Sequence, residues 1–157
     1  MEKTFELKNL KWEGAFVDCK YKLTQVDDEG ISETNDYHVK LSKHIHADLE
    51  KLFEDLRGIV ADILDNTQYI AEFNVGNSSI FPDSVSFAGQ NDNIGIVISG
   101  VIGTKFGSVK FKTPRIKYKT SESEVAARLT VFADAFVNEV YAYLFEDKVA
   151  ELSVFGE

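Results

Sequence analysis

The sequence predicts an α+β domain: a curved antiparallel sheet covered on one face by two amphipathic helices, in the order strands, helix, strands, helix. Three observations carry the prediction. Residues 44 to 65 and 121 to 148 keep apolar residues at three-and-four spacing, runs such as 15 to 26 alternate with period two, and these patterns occur in segregated blocks. At 157 residues, with 44% apolar and 12% aromatic residues, the chain suits one domain over residues 1 to 150 followed by a short tail, 151 to 157.

The first strand is read over residues 4 to 12, with Phe5 and Leu7 on one side and an end near Trp12 and Gly14. From Ala15 to Val26, Val17, Cys19, Tyr21 and Leu23 face one way while Asp18, Lys20, Lys22 and Thr24 face the other. Asp27-Asp28-Glu29-Gly30 is a turn. The chain returns in a second alternating run, with Tyr37, Val39 and Leu41 opposed to Asp36, His38 and Lys40, so the two runs make a hairpin.

The first helix is expected over His44 to Asp65, capped by Ser42, with Leu49, Phe53, Leu56, Val60 and Ile63 on its inner stripe and Asp48, Glu54, Asp55 and Asp62 on its back. Residues 66 to 84 suggest a strand around Ile70 to Val75 and then a loop, because Gly76, Asn77, Ser78, Ser79 and Pro82 are breakers. Two further strands are read at Val85 to Gly89 and Ile94 to Ile102, separated by Gln90 to Asn93. Gly95, Gly100 and Gly103 point to curvature or close backbone approach. The second helix opens on Ser121-Glu122-Ser123-Glu124, where S-x-x-E has the form of a capping box with Ser121 as the cap, and buries Leu129, Phe132, Phe136 and Val140.

The chemistry is concentrated in Lys105 to Lys119, KFGSVKFKTPRIKYK, which has six basic residues and no acidic one. The chain as a whole carries 17 Lys+Arg and 26 Asp+Glu, net charge -9, which leaves 11 bases against 26 acids elsewhere. In an extended segment Lys110 and Lys112 share a face, and a one-residue bulge at Pro114 returns Arg115, Lys117 and Lys119 to it. Together with Lys20, Lys22, His38 and Lys40 these residues define a basic open sheet face, and Lys105, which opens the segment, is counted with them as a nucleic-acid contact. Such a face binds single-stranded nucleic acid when aromatic rings accompany it, and Phe106, Tyr118 and Trp12 are the candidates. The bland reading of a lysine-rich strand is protection of a sheet edge.

Other classes are excluded by the sequence. His44 and His46, two apart on a helix, diverge by about 200° and cannot share a metal. No Ser-His-Asp or Cys-His arrangement stands out and IGIVISGVIG lacks the phosphate-loop spacing, so the expectation is a non-enzymatic protein with no cofactor and no metal. A single cysteine, Cys19, excludes an intrachain disulfide. The absence of a membrane-length apolar run or a secretory leader points to a cytoplasmic protein.

The last residues, Glu151-Leu152-Ser153-Val154-Phe155-Gly156-Glu157, include ELSVF. This pentapeptide resembles the bacterial sliding-clamp-binding peptide, with Glu151 in place of the usual glutamine and Val154 in place of leucine. The resemblance implies that Leu152, Val154 and Phe155 fill the clamp's apolar pocket. The chain also has a general resemblance to small phage and prophage proteins of DNA replication and recombination, which implies an accessory role in a bacterial cytoplasm. The competing class is an acidic protein-interaction module, such as a phage assembly or host-inhibitory protein, without nucleic-acid binding. A homo-oligomer is compatible with either.

Overall fold

The computed structural model describes residues 2–65, 80–89, 91–104, 106–119 and 122–149. It is an α+β fold. The strands β1 (Glu2–Glu13), β2 (Phe16–Val26) and β3 (Ser32–Leu41) precede helix α1 (Ala47–Asp65). Strands β4 (Ile80–Ala88), β5 (Gly95–Thr104), β6 (Gly107–Lys112) and β7 (Ile116–Lys117) precede helix α2 (Glu124–Phe145). All pairings are antiparallel, in the spatial order β3-β2-β1-β4-β5-β6, with the short β7 also on β5.

The sheet consists of two halves. β1, β2 and β3 pair over almost their full lengths, as do β4 and β5, whereas β1 and β4 are joined only at Asn9–Ser86, Leu10–Val85 and Lys11–Ser84. Both helices lie on one face. The core between sheet and helices contains Leu10, Val17, Cys19, Val85, Ile96, Ile98 and Ile102 from the strands and Leu49, Phe53, Leu56, Val60, Leu129, Phe136 and Val140 from the helices. Period two in the strands and 3.6 in the helices place these residues on the shared interior. Phe53 and Phe136 meet edge to face across the helix pair, with ring centroids 5.6 Å apart.

Several local expectations are corrected. α1 begins at Ala47, and its cap is His46, not Ser42. The His46 carbonyl accepts from Leu49 N and Glu50 N, and its Nδ1 accepts from Asp48 N at 3.0 Å. His44 and His46 therefore precede the helix. α2 begins two residues beyond the position that S-x-x-E suggests: Ser123 is the cap, its Oγ accepting from Ala126 N at 3.0 Å.

The largest difference is β4. The predicted loop through residue 84 gives way to a strand that starts at Ile80 and contains Pro82. A proline within a sheet removes a ladder hydrogen bond and is tolerated at a bulge, and the register shifts between Pro82 and Ser84. Gly100 sits opposite Pro82, and a Cβ there would come within 2.2 Å of the Phe81 carbonyl oxygen. The proline and the glycine form one close-approach device. The strand expected at Ile70 to Val75 lies outside the described residues.

The acidic back of α1 is compensated in part from the second half of the chain. Asp62 is paired with Arg128 of α2, and Asp48 with Lys148, whose Nζ lies 2.8 Å away and also 2.9 Å from Glu139. The Lys148 hydrogen bond, with its charge, holds the Asp48 carboxyl below its ordinary range.

Candidate nucleic-acid interface

The sheet face away from the helices is built by the residues that alternate with the core. Cross-strand partners share a face, so the register fixes its composition. One row crosses all six main strands: Lys40, Asp18, Lys11, Ser84, Ser99, Lys112. At about 4.8 Å per strand the row spans about 24 Å. A second row contains His38, Lys20, Asn9, Ser86 and Val97, and Asn9 Nδ2 donates to Ser86 Oγ.

The two halves of this face differ in charge. On β1, β2 and β3 the lysines are interleaved with acids. Lys22 lies between Glu6 and Asp36, and Asp18 lies between Lys11 and Lys40. His38 Nε2 is 2.6 Å from Asp18 Oδ1, and Lys11 is held by Glu13 at 3.1 Å, a hydrogen bond that raises the Lys11 pKa. The expectation of a uniformly positive face is therefore corrected. Lys22 and Lys40 belong to a checkerboard in which opposite charges face each other, the arrangement that cross-strand energetics favour, whereas Lys20 stands between Asn9 and His38.

On β5, β6 and β7 the pattern is different. Lys110 is opposite Val101, Lys112 opposite Ser99 and Lys117 opposite Gly95. Lys112 and Lys117 thus face uncharged residues across their pairings. Asp83, displaced at the β4 bulge, interacts electrostatically with Lys110 and with Lys11. Burial raises its pKa, and the charges of Lys11 and Lys110 oppose that rise.

The break at Pro114 restores the face as the spacing predicts. Thr113 and Ile116 are matched to Ile98 and Ile96, so Pro114 and Arg115 together stand opposite the single residue Val97, and Lys117 returns to the side of Lys112. Lys119 follows and is exposed. Arg115 is exposed, yet its Nη2 donates to the Asn93 carbonyl and its side chain packs over Gly95, where a Cβ would come within 2.6 Å of Cγ. Arg115 thus secures the 91–93 turn to the strand. Lys105 lies outside the described residues.

The aromatic candidates separate. Phe106 is 91% exposed at the tip between β5 and β6, where its backbone N–H donates to Thr104 Oγ1. Tyr118 is buried. Trp12 turns to the helix side, its ring centroid 5.2 Å from that of Phe53 and its Nε1 donating to the Gly14 carbonyl. Of the three, Phe106 alone is an exposed ring. Leu152, Val154 and Phe155 lie outside the described residues.

Among the described residues no group of three or more His, Cys, Asp or Glu side chains could hold a metal, and no helix is long and apolar enough to cross a membrane. No family model, no curated protein and no solved structure matches the chain.

Proposed function

We propose that the chain is a non-enzymatic accessory protein that binds single-stranded nucleic acid along the β5–β6–β7 half of its open sheet face. The observation that carries this reading is the register: Lys110, Lys112 and Lys117 share the open face of β6 and β7, and Lys112 and Lys117 face Ser99 and Gly95 across their pairings, in a chain whose net charge is -9. These lysines, with Lys119, supply phosphate contacts. The exposed ring of Phe106 supplies a stacking platform, and Ser84, Ser86 and Ser99 form a small-residue floor over which a strand can lie. Nothing in such a surface reads base edges, so binding should tolerate sequence. Lysine on β6 and on β7, which continues the same edge beyond Pro114, also protects that edge from pairing, and the two roles are compatible.

The checkerboard on β2 and β3 removes Lys22 and Lys40 from the principal contact set, and Lys20, between Asn9 and His38, stands on the half of the sheet away from β6. The test is a comparison of two charge reversals by fluorescence anisotropy with a labelled oligonucleotide. Lys110→Glu, Lys112→Glu and Lys117→Glu together should abolish binding, while Lys20→Glu with Lys40→Glu should reduce it modestly. Equal loss in both sets would contradict the assignment to the β6 side. On the resemblance of ELSVF, the same proposal keeps residues 151 to 157 as a tether to a bacterial sliding clamp. Deleting them should remove clamp binding and leave oligonucleotide binding unchanged.

A further inference from the structure

The two edges of the sheet are treated differently by the sequence. The β6 edge is six residues long, carries Lys110 and Lys112, starts at Gly107 and is interrupted by Pro114. Short length, lysine and proline are the means by which an edge avoids pairing with another chain. The β3 edge has none of these protections over most of its length. It runs ten residues, SETNDYHVKL, without glycine, proline or a bulge, and pairs with β2 at every position from Ser32 to Leu41. Among the described residues no strand covers its other side, and Ser32 to His38 are all exposed.

A straight unprotected edge is a template for strand addition. The composition of β3 identifies which strand fits. An antiparallel two-fold pairing that keeps both sheets facing the same way must match residues of the same face, so the axis passes through a residue. With the axis at His38, Asp36 of each copy meets Lys40 of the other on the open face, and Tyr37 meets Val39 on the opposite face. With the axis at Tyr37, Asp36 meets His38 but Lys40 meets Thr34 and Glu33 meets Leu41, so the lysine has no carboxylate opposite it and a charge is set against an apolar side chain. With the axis at Asp36, two aspartates meet. Tyr37 is well placed as an anchor, since it is 39% exposed and already stacked on Tyr21, ring centroids 5.1 Å apart, within the cluster that includes Phe5 and Phe145.

We infer that the occupant of the β3 edge is a second copy of this chain, paired antiparallel about a two-fold axis at His38 to give one continuous sheet across the dimer. The two β6 edges, with their lysines, then lie at opposite ends of a shared open face. This inference stands independently of nucleic-acid binding.

The test is sedimentation of the full chain together with cysteine trapping. The unmodified protein should sediment as a dimer. Asp36→Lys, at an exposed position, places like charges against Lys40 of the second copy twice per dimer and should weaken association by about tenfold, with the circular dichroism spectrum unchanged. His38→Cys puts two thiols opposite each other with Cα atoms about 5 Å apart, within disulfide range, so mild oxidation should trap a covalent dimer. Thr34→Cys, on the same face but far from the axis, should not be trapped. A monomer at all concentrations overturns the inference, as does a dimer that withstands Asp36→Lys and is not trapped through His38→Cys.

Discussion

Thr113 and Ile98 are joined by two hydrogen bonds: Thr113 N donates to the Ile98 carbonyl at 2.9 Å, and Ile98 N donates to Thr113 Oγ1 at 3.0 Å. A side chain here takes over from the backbone ladder. Pro114 and Arg115 bulge out immediately afterwards, and Thr113 Oγ1 takes the place of a backbone carbonyl as acceptor, so the β5 donor Ile98 N–H remains satisfied. The return of Lys117 to the face of Lys112 depends on this exchange.

Thr113→Val keeps the shape of the side chain but leaves the buried Ile98 N–H without its acceptor. The expected loss is about 1–3 kcal/mol in chemical denaturation, with Thr113→Ser retaining most of the stability. Equal stability of the valine variant and the unmodified protein would show that the bond contributes nothing.

Leu56 and Phe132 are buried on facing stripes of α1 and α2, with 0% and 5% exposure. Leu56→Asp or Phe132→Asp places a charge in the core without a partner, and each should eliminate the cooperative thermal transition. A variant that still melts cooperatively would disprove the packing of the two helices on the sheet.

The cap of α2 is tested by Ser123→Ala, which should cost about 1 kcal/mol, and by Ser121→Ala, which should cost little. The reverse order would return the helix start to Ser121.

Cys19 is fully buried on the helix side of β2, and burial pushes its thiol pKa up to about 12 from an ordinary 9.0. The folded thiol is thus harder to ionise than the unfolded one. Its contribution to stability is complete below about pH 9 and is lost as pH rises from about 9 towards about 12. Cys19→Ala should flatten that part of the stability profile. A thiol reagent at pH 8 should label the unmodified chain only after denaturant is added, and rapid labelling of the native protein would contradict the burial.

The helices and the first hairpin were legible because their stripes are long and agree with their turn residues. Leu49, Leu56 and Val60, or Val17, Cys19 and Tyr21, can be placed inside by period alone. Two kinds of feature were not legible. The first are local choices decided by tertiary fit: Pro82 reads as a breaker until Gly100 is seen opposite it, and Ser123 competes with Ser121 for the cap on equal chemistry. The second is charge neighbourhood. Alternation places Lys20, Lys22 and Lys40 on the open face, but only the register shows Lys22 between Glu6 and Asp36 and Lys40 opposite Asp18. The side of Trp12 is similarly concealed, because the register shift between Leu7 and Asn9 reverses the facing of the residues that follow.

The most direct measurement is the salt dependence of oligonucleotide binding by the unmodified chain. If Lys110, Lys112, Lys117 and Lys119 each neutralise a phosphate, a plot of log affinity against log salt concentration should have a slope near -3 for a single strand. Reversing Lys110, Lys112 and Lys117 to glutamate should remove binding while the thermal transition persists. Absence of binding at low salt, or a slope that survives the reversal, would contradict the claim that this half of the sheet is a nucleic-acid surface.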